Sequence, residues 1–119
     1  MNSAALSTHT EAIEQALSRF HQEQQGIAPK QLRATILDDM VVVLSSGVYN
    51  TSEQELSESK QGKKLIQSAR RDQRALTRRE AEAAVAGIMG RRVVRSFFDI
   101  DTRTGDQVEV YILERQIDA

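Results

Sequence analysis

Cysteine is absent from the 119 residues. Its absence excludes disulfides, thiolate nucleophiles and cysteine-based zinc or iron-sulfur centres, and it suits a reducing compartment. Long apolar runs are missing as well. The longest, MVVVL from Met40 to Leu44, falls far short of the ~20 residues that cross a bilayer. The opening MNSAALSTHT has neither the basic start nor the apolar stretch of a signal peptide, so secretion by that route is not expected. Proline occurs once, at Pro29, and the six glycines form no P-loop or dinucleotide fingerprint. No nucleotide site follows from them. The two histidines, His9 and His21, show no triad partner or metal-ligand spacing and are expected at the surface.

A net charge of -1 conceals a strong asymmetry. Lys60 to Arg95 holds eleven basic and three acidic residues, whereas the rest of the chain holds five basic and fourteen acidic. The densest part, SARRDQRALTRRE from Ser68 to Glu80, carries five arginines in thirteen residues. Clustered guanidiniums hold carboxylates or phosphates in forked geometry, so this strip is either a solvated helix face or a docking surface for an anionic partner. It lacks the interleaved aromatics of a nucleic-acid binder. Its apolar side is Leu and Ala, which suits a protein core better than a membrane surface.

Periodicity gives the elements. Residues 1–10 are small and polar and read as a flexible leader, residues 11–114 as one α+β domain and residues 115–119 as a tail. From Glu11 the positions Ile13, Ala16, Leu17 and Phe20 recur at helical spacing, with Thr10 as a cap and Gly26 and Pro29 as the stop. QLRATIL and MVVVLSSGV flank Asp38-Asp39 as a hairpin whose second strand, apolar on both faces, is central or covered. Thr51 with Gln54, and Ser52 with Glu55, match capping-box spacing for a short helix. A long basic helix then runs to about Met89, kinked or broken near Thr77. At 100° per residue, Leu65, Ile66, Ala69 and Leu76 fall on its apolar side, and Lys63, Arg70, Arg74 and Arg78 fall opposite.

VVRSFFDI and QVEVYILE supply a second hairpin around Gly105. Val94, Phe98 and Ile100 are expected on one face with Val108, Val110 and Ile112, leaving Val93, Phe97, Tyr111 and Leu113 on the other. The expected fold is a two-layer α+β domain: a four-stranded, mostly antiparallel sheet, helix-strand-strand units at both ends, and the basic helix between. The surplus of apolar residues implies cover on the second sheet face, either by a homodimer or by another helix. Asp38, Asp39, Asp99 and Asp101 are carboxylates that turn chemistry explains better than a metal site does.

The segments GIAP, DDMVVVLSSGVYNTSEQEL, GKKLIQSARRDQR and GRRVVRSFFDIDTRTGDQVEVYIL together resemble the MpsC-like family of small bacterial proteins, over about Glu11 to Glu114. The resemblance implies an accessory role near a sodium-translocating, membrane-potential-generating complex, with relatives serving inorganic carbon uptake. The resulting expectation is a non-enzymatic cytoplasmic module, peripheral to the inner membrane through its partner, that binds a protein of an ion or inorganic-carbon transport system. Arg70, Arg71, Arg74 and Arg78 would make its charged contacts, with Phe97 and Tyr111 as apolar anchors. No cofactor, catalytic residue or metal is expected. The alternative is a binding module that takes a small phosphorylated or nucleotide ligand on the same arginines.

Overall fold

The computed structural model describes residues 3–115. Its elements are α1 (Ser3–Gln25), β1 (Gln31–Leu37), β2 (Met40–Ser46), α2 (Thr51–Leu56), α3 (Lys60–Met89), β3 (Val93–Asp101) and β4 (Asp106–Leu113). Helix α1 thus begins well before the expected start at Glu11. Thr10 lies inside it and donates its hydroxyl to the Leu6 carbonyl at 2.7 Å, so it does not cap. Met1, Asn2 and, apart from Arg115, the expected tail lie outside the described residues.

The four strands form one sheet in the order β1-β2-β4-β3, and every neighbouring pair is antiparallel. Two helix-strand-strand units, α1-β1-β2 and α3-β3-β4, meet at the central β2-β4 pair. Both long helices pack on one face of the sheet. There Ile13 and Leu17 of α1 join Ala34, Val41, Val43, Tyr111 and Leu113 from the strands and Ala81, Val85 and Met89 from α3 in the main core. A smaller cluster of Val48, Ile66 and Ile100, with Tyr49 against it, lies further along α3.

Local chemistry explains the connections. At the β3-β4 turn, Gly105 takes φ +77 and donates its N–H to the Asp101 carbonyl at 2.8 Å, a conformation that L side chains rarely adopt. Asn50, one residue ahead of the expected boxes, caps α2. Its side chain accepts from the Glu53 N–H, and Glu53 accepts in return from the Asn50 N–H. Ser59 caps α3 by accepting from the Gly62 N–H at 2.9 Å. Helix α3 then continues unbroken for 30 residues. Thr77 starts no new helix and instead donates to the Gln73 carbonyl within the same one.

In the β3-β4 hairpin, β3 keeps Phe98 and Ile100 toward the helices and Phe97 on the open face as expected, with Val93 also packed against the core. Strand β4 reverses: Tyr111 and Leu113 point to the helices, while Val108, Val110 and Ile112 share the open face with Phe97. A one-residue slip in strand phase moves every side chain to the opposite face. The slip arose because Gln107 and Glu109 alternate with Tyr111 along β4, making the core-facing side look like the wet one.

Candidate functional site

Helix α3 is rotated relative to the sequence-based wheel: Ile66 is buried and Arg78 exposed as expected, but the other expected core positions are not buried. Leu65, Ala69 and Leu76 are exposed, Leu76 to 86%. Arg70 is only 3% exposed and faces the sheet. A guanidinium is tolerated in that position when its donors are matched, and Arg70 places all five. Its Nε and Nη2 hold the Glu53 carboxylate in a fork at 2.7 Å each. Nη2 also donates to the Val48 carbonyl at 2.7 Å, and Nη1 donates to Gln107 Oε1 at 3.2 Å. The fifth contact runs from Nη1 to His21 Nε2 at 3.0 Å. Burial by itself would raise the Glu53 carboxyl, but the Arg70 hydrogen bond, the Asn50 N–H and the Arg70 charge outweigh it and hold it below the usual range.

His21 is therefore a buried structural acceptor, not a surface histidine. Arginine can only donate, so Nε2 must accept and the ring proton sits on Nδ1, which donates to the Ile27 carbonyl at 2.7 Å. Burial and the neighbouring Arg70 charge push its pKa down, against the opposing pull of the Ile27 carbonyl, Glu109 and Glu53.

One helical turn on, Arg74 serves a second pair. It donates to Glu109 Oε1 at 2.7 Å, and the same oxygen accepts the Tyr111 hydroxyl at 2.6 Å. Burial and the Glu109 charge both push the Tyr111 phenol well up, so it stays protonated and donating. The Arg74 guanidinium lies 4.5 Å from the Phe98 ring centre and 5.8 Å from that of Phe20, within cation-π range. Burial would lower its pKa, but Glu109 raises it further. Beside the two arginines lies a cavity of about 20 Å³, onto which the buried Ser45 hydroxyl opens without a protein hydrogen-bond partner. That space holds roughly one water.

The six candidate binding residues thus separate into two groups. Arg70, Arg74 and Tyr111 are not available to a docking partner, because the chain's own carboxylates hold the first two and Tyr111 is 0% exposed on the core face. Arg71 and Arg78 are exposed on α3 alongside the edge strand β3, whereas Phe97 projects from that strand onto the open sheet face. Arg71 bonds Asp99 at 2.9 Å and Glu82 accepts from the Ser96 hydroxyl at 2.5 Å, which pins α3 beside that strand. Arg78 lies on the same helical line between Arg71 and Glu82. It is exposed, and Phe97 is 57% exposed. The Ile100 N–H, and after it Arg71, lowers the Asp99 carboxyl.

The buried partners Glu53, Gln107, Glu109 and His21 escaped the sequence reading. The one available signal was DQVEVYIL, where polar residues alternate with Tyr111 and Leu113 on a single face. The four hairpin aspartates do not converge: Asp38 and Asp39 lie at the Leu113 end of the sheet, while Asp99, opposite Val108, and Asp101 lie at the Gln107 end. Among the described residues no group of three or more His, Cys, Asp or Glu could hold a metal. No described helix is long and apolar enough to cross a membrane.

The family model for the Na+-translocating membrane potential-generating system (MpsC) matches residues 7–115, nearly the whole domain just described. The chain belongs to the MpsC family. It is also 23% identical over 103 residues to the uncharacterized protein YrhF of Bacillus subtilis (strain 168), covering 86% of this chain and 84% of the relative. No solved structure matches it. The MpsC match spans both helix-strand-strand units and the buried network that joins them.

Proposed function

We propose that this MpsC-family chain is a non-enzymatic accessory subunit that docks from the cytoplasm onto a protein of a sodium-translocating, membrane-potential-generating system. The observation that supports it is the edge strand β3, which has the exposed Arg71 and Arg78 of α3 alongside it on one side and the exposed Phe97 on its open face. Arginine and aromatic side chains together are the usual anchors of protein interfaces, the guanidinium taking a carboxylate in a fork while the ring fills a pocket. The Arg71-Asp99 pair is half exposed, and such pairs contribute little, so Arg71 can exchange Asp99 for a partner's carboxylate at small cost. Family membership supplies the setting.

A ligand pocket on the same helix has less support. Arg70 and Arg74 already hold carboxylates, and the adjoining space fits about one water. The docking reading is tested by co-expressing the chain with the membrane subunits of a sodium-translocating system of this kind and purifying the complex from detergent. The double variant Arg71→Glu/Arg78→Glu is expected to keep its thermal midpoint and lose co-purification, and added salt is expected to weaken the wild-type complex. A variant that stays bound in equal yield rules out this edge as the docking surface.

A further inference from the structure

The two central strands carry apolar side chains on both faces. Val41 and Val43 of β2 enter the core while Met40, Val42 and Leu44 point away from the helices. In β4 the contrast goes further: Gln107 and Glu109 face inward, and Val108, Val110 and Ile112 face outward. A sheet that meets water on one side alternates apolar with polar residues, whereas strands apolar on both faces belong to sheets covered on both. From strand spacing and rise, four strands of seven residues present about 440 Å² in projection. The apolar centre of that face, contiguous across β2 and β4, is the kind of patch that marks an interaction site. Leu44 and Val108, at its centre, are 42% and 37% exposed.

From this surface we infer that the open sheet face binds a second copy of this chain, forming a two-fold dimer in which two four-stranded sheets stack face to face. Charge placement favours a copy of itself over a foreign protein. The register aligns Arg33, Leu44, Val108 and Asp99 in one row across the sheet, and Leu37, Met40, Ile112 and Arg95 in another. A two-fold axis along the strands sets Arg33 against the second copy's Asp99. An axis across the strands sets Arg95 against it. Neither arrangement brings like charges together within these rows, so the face is complementary to itself in the way a two-fold interface requires. Aligned sheet packing about 10 Å apart then buries the central aliphatic side chains of both copies.

Sedimentation of the full chain across micromolar concentrations tests the dimer. A mass twice 13.3 kDa is expected, and a mass of 13.3 kDa at every concentration overturns it. The variant Leu44→Lys/Val108→Lys is expected to sediment as a folded monomer, because both positions are already solvated in one copy; a folded double-mass variant places the contact elsewhere and defeats the proposal. If that variant does not fold, the cysteine-free background allows a milder probe. A Leu44→Cys thiol is expected to be shielded from maleimide at high protein concentration and to react on dilution, whereas equal labelling at both concentrations overturns the dimer. The dimer contact is centred on β2 and β4, with Phe97 at its β3 rim; these measurements contain no partner protein and leave Arg71, Arg78 and Phe97 unchanged, so a monomeric result does not bear on docking at the β3 edge.

Discussion

His21 couples the buried network to pH. Its ring accepts from Arg70 of α3, with Glu53 of α2 and Glu109 of β4 near enough to oppose the effect of burial. Protonation would turn Nε2 into a donor facing another donor. Because the folded pKa lies below the ordinary 6.5, the unfolded chain binds the proton first, and stability that is full above that value falls as pH decreases toward the folded pKa. Glu53, also depressed, adds a loss of the same sign only below its ordinary 4.5. Thermal midpoints measured between pH 7 and about 5 are therefore expected to decline in the wild type and to run flatter in His21→Gln. Equal slopes would show that His21 does not titrate with folding. Locally, His21 continues the Ile13-Leu17 line by one helical turn, a hint of burial that says nothing of its role. Its acceptor role exists only because Arg70, 49 residues on, arrives at Nε2.

Helix α3 is where element-scale logic was both most and least informative. Its existence, its end at Met89 and its cationic character follow from composition, capping and the Gly90 stop. Its orientation did not, because Leu65, Ala69 and Leu76 look like a core stripe until Glu53 and Glu109 are seen to supply carboxylates on the other side. Two glycines on this helix make opposite predictions. A Cβ on Gly62 would lie 1.7 Å from the Leu56 carbonyl oxygen at the α2-α3 junction, backbone that cannot step aside. Gly62→Ala is expected to lower the urea midpoint despite alanine's better helix propensity. Gly87 has nothing within 4 Å of its built Cβ, so Gly87→Ala is expected to stabilise by about 0.5–1 kcal/mol. The reverse order of the two variants would contradict the close α2-α3 contact.

Over the whole molecule, the Arg70 and Arg74 networks stand between two apolar clusters. Along α3, Ile66 belongs to the smaller cluster and Ala81, Val85 and Met89 to the larger, with the two arginines in the intervening turns. Breaking either half would leave a buried charge without its partner, which is strongly unfavourable, so the clusters are expected to unfold together. The two tyrosines report on them separately, Tyr49 at the smaller cluster and Tyr111 in the larger. In Tyr49→Phe and in Tyr111→Phe, the remaining tyrosine's emission is expected to change at the same urea concentration as that variant's circular dichroism. A separate earlier transition for Tyr49 would mean that the smaller cluster melts independently. The sequence by itself determined the inventory: no thiol chemistry, seven elements in this order, two helix-strand-strand units, and more apolar strand residues than one core can take. Those properties depend on neighbours along the chain, which periodicity and turn chemistry record. Only the tertiary structure decided which face of α3 and of β4 turns inward, because a buried arginine is stable solely when carboxylates from distant segments meet it there.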